Sequence, residues 1–139
     1  MKTKTYQPKK SEVKRNWHLV DAKGQVLGRM STDIVKLLMG KHKEDYSRHM
    51  DMGDYVVLIN SSKVEFTGKK LKDKTYYRHS GYPGGFKEIK LSKLMKESPS
   101  KVIELSVRRM LPDNRLRDKR MRRLKIFAGK KHAYESKLI

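Results

Sequence analysis

The stretch WHLVDAKGQVLGRMSTDIVKLLMG, Trp17 to Gly40, together with DYVVLIN, Asp54 to Asn60, decides the fold. Trp17 to Ala22 has strand character, Lys23-Gly24 supplies a turn, and Leu27, Met30, Ile34, Leu37 and Leu38 then recur at helical spacing. Gly40 suits the position just past a helix end, where the chain turns left-handed. Asp54 to Asn60 is nearly all apolar and rich in β-branched side chains, as in a strand of a parallel sheet covered on both faces. Strand, helix and strand in that order make a βαβ unit, whose crossover is expected to be right-handed.

Downstream, Val64 to Thr67 reads as a further short extended piece. From Gly68 to Lys90 the pattern lapses into lysines, tyrosines and glycines (GKKLKDKTYYRHSGYPGGFKEIK), an excursion long enough to be functional. Leu91 to Glu97 and Ser100 to Leu111 read as two helices divided at Pro99, with Ser98 and Ser100 as capping candidates. Pro112 closes the second helix. Asp113 to Arg123 is polar and basic, and Leu124 to Ala128 supplies a last strand-like run. The reading gives a basic arm at 1–15, one α/β domain at 16–132 and a tail at 133–139.

The chain has 139 residues, 35 Lys and Arg against 15 Asp and Glu, and a formal charge of +20. A folded body with that charge is strongly positive over most of its surface and selects polyanions, because each cation that neutralises a phosphate releases condensed counterions. Hydrophobic content is 36% and charged content 36%, so the core is modest. There is no cysteine, which removes disulfides, thiolate metal sites and cysteine nucleophiles, and suits a reducing compartment. The longest apolar run is Val56 to Ile59, and Met1 to Arg15 has no apolar stretch behind its basic residues, so no membrane anchor or signal peptide is expected.

Two segments carry the charge. Arg108 to Lys131 holds eleven Lys or Arg against Asp113 and Asp118, a net of +9. Seven of the eleven are Arg, whose planar fork engages phosphate in two hydrogen bonds. A merely solvated helix would interleave a ladder of Glu one turn from these cations, and no such ladder is in place. None of Arg115, Arg117, Arg120 and Arg122 belongs to the apolar pattern, so their replacement by Gln is expected to weaken nucleic-acid binding and to leave the melting temperature unchanged. The second segment, Lys69 to Lys90, interleaves aromatics and glycines around Tyr76 to Gly85. Its tyrosines either stack on unpaired bases, or belong to an edge strand in which one of Tyr76 and Tyr77 is core. Gly84 and Gly85 fit close approach to RNA, and also a tight turn after Pro83.

Other chemistries find little support. No G-x-G-x-x-G or G-x-x-x-x-G-K-[ST] occurs, which removes the usual nucleotide-binding loops. His49, Asp51 and Asp54, with Glu44 and Asp45 upstream, would be the residues of a metal-dependent nuclease. Those acids have Lys41, Lys43 and Arg48 as nearby partners, and His18, His42, His79 and His132 show no ligand spacing, so no metal site is expected. A DNA-binding regulator would need a groove-reading helix, and no helix-turn-helix is evident.

The runs Trp17 to Ala22, Leu27-Gly28-Arg29, Gly40-Lys41-His42-Lys43 and Gly53-Asp54-Tyr55 closely resemble the bacterial form of large-subunit ribosomal protein thirteen. So do Tyr76 to Gly81 with Gly84-Gly85, Val107 to Pro112, and Leu124 to Gly129. The resemblance covers residues 13 to 132 in one register. It departs at Arg109, where the family usually has Gly, and within Asp113 to Leu116. It implies a three-layer α/β/α fold on a small four-stranded parallel sheet, order 3-2-1-4, with basic loops and extensions. It also implies a non-enzymatic, cytoplasmic constituent of the large ribosomal subunit that binds ribosomal RNA, has neighbouring ribosomal proteins as partners, and supports assembly without cofactor, small-molecule substrate or membrane. The RNA-binding residues carried over by motif are Lys41, His42 and Lys43; Lys69, Lys70, Lys72, Lys74, Arg78, His79, Gly81, Gly84 and Gly85; and Arg108, Arg109, Arg115, Arg117, Arg120, Arg122 and Arg123. Asp21 and Asp54 are implied to be structural, at strand ends.

Overall fold

Val56, Val57 and Leu58 are fully buried, as the pattern of DYVVLIN requires of a central strand. A computed structural model describes residues 6–138 of the chain. In chain order its elements are β1 (Trp17–Asp21), α1 (Leu27–Met39), β2 (Tyr55–Ile59), α2 (Lys70–Asp73), β3 (Thr75–His79), β4 (Phe86–Lys90), α3 (Leu91–Glu97), α4 (Pro99–Met110), α5 (Arg117–Arg122) and β5 (Leu124–Ile126). Single 3-10 turns occupy Lys10–Glu12, Ser61–Lys63 and Glu135–Lys137. No helix among the described residues is long and apolar enough to cross a membrane.

The architecture is mixed α/β. β1, β2 and β5 form a parallel sheet in the order β1-β2-β5, with Trp17 opposite Tyr55 and Val56 opposite Leu124. Four parallel strands were expected, and three are found among the described residues. Val64 to Thr67 adds one isolated parallel bridge, Val26 with Glu65. β3 and β4 form a separate antiparallel hairpin where an irregular excursion was expected. Every residue of β4 is exposed, so no face alternation marks it in the sequence.

The core lies where α1, α3 and α4 bury one face of the sheet: Met30, Ile34 and Leu38 of α1, Leu91 and Leu94 of α3, and Val102, Ile103 and Val107 of α4 pack with Val56 and Leu58. Ser31 Oγ donates to Ser106 Oγ at 2.9 Å, tying α1 to α4. On the opposite face the rings of Trp17 and Tyr55 stack at 4.3 Å, and Tyr134 covers Trp17 at 5.1 Å. Residues of the expected tail therefore close over part of the sheet.

Helix ends follow the sequence. Gly40 ends α1 with φ 81° and donates to the carbonyls of Lys36 and Leu37. Pro99 opens α4 at a position where a missing N–H costs nothing. Ser98, one of the two capping candidates, occupies the N-cap position without a side-chain capping bond, and the hydroxyl of the other, Ser100, lies 3.5 Å from Ser61 Oγ.

Candidate nucleic-acid interface

The segment from Gly40 to Asp54 returns the chain from α1 to β2, and two acids hold it, Asp54 fully buried and Asp51 13% exposed. The backbone N–H of Asp54 donates to Leu37 O at 3.1 Å, docking the returning strand on the last turn of α1. Gly53 sits so close to that turn that a Cβ there would lie 1.7 Å from Leu38 O. This seam brings the acids to opposite sides of the helix end.

Asp54 is fully buried, and every oxygen it carries is used. Lys43 Nζ donates to Oδ1 at 2.5 Å, the Asn16 N–H to Oδ1 at 3.1 Å, and the imidazoles of His18 and His42 reach Oδ2 at 2.9 and 3.0 Å. Against an ionised carboxylate, both ring Nε2 atoms must carry their protons. Burial pushes the Asp54 carboxyl up, but the hydrogen bonds from Lys43, His18 and Asn16 outweigh it and hold the carboxyl below its ordinary 3.8. A carboxyl lowered on folding stabilises the protein above its unfolded pKa and loses that stabilisation as pH falls through the folded value. Stability is therefore expected to drop below about pH 4, and Asp54→Asn to be less stable at neutral pH with a flatter acid limb. Urea unfolding from pH 7 to 3 checks this; parallel curves for the two proteins would contradict it.

His18, His42 and Asp54 present ligand atoms within 4.8 Å of one another, although their spacing in the sequence gives no hint of a cluster. The clue lies in the topology: parallel pairing of β1 with β2 puts His18 beside Asp54, and the Gly40 turn returns His42 to the same strand end. Lys43 already answers the carboxylate's charge, so a divalent ion there would sit beside an ammonium group. The cluster is a clasp for the 40–54 segment.

Asp51 anchors the other side. Arg123 Nη1 and Nη2 grip its two oxygens at 2.5 Å each, Arg120 Nε stands at 3.8 Å, and Arg15 Nη2 donates to its carbonyl at 3.0 Å. Arg120 is 1% exposed and Arg123 5%. Arg123 Nη2 also donates to Leu38 O, so one guanidinium joins α1, the loop and the start of β5. The nuclease residues thus do not converge: His49 bonds to Ser47, Asp51 serves Arg123, and Asp54 serves the clasp.

In the hairpin, Tyr76 points inward at 8% exposed, with the Arg109 guanidinium 5.4 Å from its ring centroid. Tyr77 points outward and stacks on Phe86 at 5.6 Å. Of the two readings of this tyrosine pair, Tyr76 is core and Tyr77 is surface. At the tip, Gly85 N donates to Tyr82 O at 2.9 Å, and Gly84 has φ 72° after Pro83, a tight turn that needs glycine. A Cβ on Gly85 would meet Ser80 Oγ at 2.0 Å, so the turn alone explains both glycines.

The likeness to known proteins agrees with this frame. A family model described as Ribosomal protein L13 matches residues 15–133. The chain belongs to the ribosomal protein L13 family. It is 53% identical over 133 residues to the large ribosomal subunit protein uL13 of Syntrophus aciditrophicus, covering 96% of this chain and 94% of that one. The uL13 of Thermotoga petrophila is 50% identical, at 96% and 89% coverage, and that of Alcanivorax borkumensis 49%, at 94% and 92%.

Within this L13-family chain the expected RNA-facing positions separate. Lys41 and His42, Lys69, Lys70, Lys72 and Lys74 on α2 and at its ends, the hairpin residues Arg78, His79, Gly81 and Gly84, and Arg108, Arg109, Arg115 and Arg122 are at the surface, while Gly85 and Arg117 are half-buried. Arg108 and Arg117 pair with Asp118 and Asp113 at 3.4 and 2.9 Å. Arg109, the residue that departs from the family pattern, lies in the last turn of α4 and spends its charge on Tyr76. Three positions are corrected. Arg120 and Arg123 are turned into the body, and Lys43 gives its donors to Lys14 O, Met52 O and Asp54 Oδ1, so none of the three presents a free cation to RNA. Because Arg120 is buried, the expectation that its change to Gln leaves the melting temperature untouched is corrected as well.

Proposed function

We propose that this chain is a structural, non-enzymatic constituent of the large ribosomal subunit that binds large-subunit ribosomal RNA and supports assembly in the cytoplasm, with neighbouring ribosomal proteins as its other partners. The observation that carries the reading is near-full-length likeness to relatives named large ribosomal subunit protein uL13. A net charge of +20 supports it, since counterion release from RNA is the largest affinity term open to such a surface.

On this reading the RNA contacts are Lys41 and His42, the basic hairpin with its tip glycines Gly81, Gly84 and Gly85, and the exposed arginines between Arg108 and Arg122. The arm at 1–15, the domain at 16–132 and the tail at 133–139 are its working parts; residues 1–5 and 139 lie outside the described residues. The reading includes a three-layer α/β/α body whose parallel sheet has a fourth strand, in the order 3-2-1-4. The test is binding of the purified chain to an in vitro transcript of large-subunit RNA. Tight, steeply salt-dependent binding without Mg²⁺-dependent cleavage is expected, and sustained turnover of the RNA would overturn the reading.

A further inference from the structure

The N-terminal arm and the start of β5 enclose a groove of about 980 Å³ that no motif marks. Seven Lys or Arg line it, and two of them, Arg15 and Arg123, engage Asp51; the other five come from three directions: Lys10 on the arm, Arg115 before α5, Lys119 and Arg122 on α5, and Lys125 on β5. Among the described residues none of the five makes an ion pair or a side-chain hydrogen bond. Asp51, the carboxylate in the lining, is already held by Arg123. Positive charge is therefore concentrated in a concavity where no described residue answers these five cations, at an electrostatic cost that an anion would relieve.

We propose that this groove takes the phosphodiester backbone of a single RNA strand, with Lys10, Lys119 and Lys125 as phosphate contacts beside Arg115 and Arg122. The inference rests on the ribosomal RNA reading above and extends its contact at Arg115 and Arg122 to Lys10, Lys119 and Lys125, apart from the hairpin. A positive groove that tracks a backbone is the usual design for single-stranded nucleic acid. The two arginines add planar forks suited to phosphate oxygens. The reading of the chain as an RNA-binding protein favours an RNA backbone here over an acidic peptide, and the competition below separates the two.

The test uses the full chain, a large-subunit RNA transcript, and polyuridylate and polyglutamate as competitors. The variant Lys10→Gln, Lys119→Gln, Arg122→Gln and Lys125→Gln should flatten the slope of log affinity against log salt by about three units, at roughly 0.7 per phosphate contact. Its melting curve should match wild type, since all four side chains are exposed or half-exposed. In wild type, bound RNA should protect Lys10, Lys119 and Lys125 from acetylation, a readout that needs no variant. Polyuridylate should displace the transcript far better than polyglutamate. An unchanged slope, unprotected lysines or equal competition by polyglutamate would each overturn the groove. Failure of wild type to bind the transcript at all would instead overturn the functional reading.

Discussion

Asp51→Ala is expected to cost on the order of 3–5 kcal/mol, the loss typical of removing one partner from a buried ion pair. Arg120 and Arg123 are almost wholly buried, and their counter-charge is this one carboxylate. Removing it leaves two guanidinium groups desolvated and uncompensated. Arg120 Nε and Nη2 and Arg123 Nε already lack hydrogen-bond partners, so the protein has no reserve of acceptors to redirect. The melting temperature, followed by fluorescence of the single tryptophan, should fall by roughly 10 °C or more. Arg120→Leu should cost far less than Asp51→Ala, because an apolar side chain replaces a poorly satisfied cation at similar volume. In the Asp51→Ala background it should restore part of the loss. A melting temperature for Asp51→Ala close to wild type would mean that these arginines are solvated and the anchor is wrongly described.

Gly53→Ala should be comparably severe, for a steric reason. The added methyl would lie 1.7 Å from Leu38 O and 2.9 Å from Arg123 Nη2, so the returning strand and the end of α1 must separate. Separation also loses the Asp54 N–H to Leu37 O bond and the Arg123 bond to Leu38 O. Overpacking against rigid backbone, with buried hydrogen bonds broken, places the cost at about 3 kcal/mol or more. Gly28→Ala is the internal control. Nothing lies within 4 Å of its Cβ position in the first turn of α1, and alanine there should be neutral or stabilising by up to about 1 kcal/mol. If thermal melts gave the two variants the same stability, the seam could not be as tight as the structure has it.

The βαβ start was legible because its signals are local. The 3.6-residue apolar spacing of α1, the glycine past its end, and the β-branched run of β2 each specify one element. Pro99 marked the boundary between α3 and α4 for the same reason. The hairpin was not legible as a hairpin, because β4 is exposed at every residue and the lysines and glycines around it read as loop. The site divides along the same line. Exposed basic residues are recognisable by type, whereas the inward turn of Arg120 and Arg123 depends on Asp51, 72 residues from Arg123 in sequence. The clasp on Asp54 draws His18 from 36 residues away and His42 from 12. No window of the sequence holds such a cluster. It becomes legible only once the parallel pairing of β1 with β2 is known, and then two histidines that looked scattered acquire one shared acceptor.

The central claim is that this chain is a built-in, RNA-bound part of the large ribosomal subunit. Sedimentation of tagged chain from cell extract through a high-salt sucrose gradient tests it most directly. The chain should travel with large subunits and resist a salt wash that strips proteins bound only to the surface. Recovery of the chain at the top of the gradient, with large subunits complete without it, would overturn the ribosomal reading.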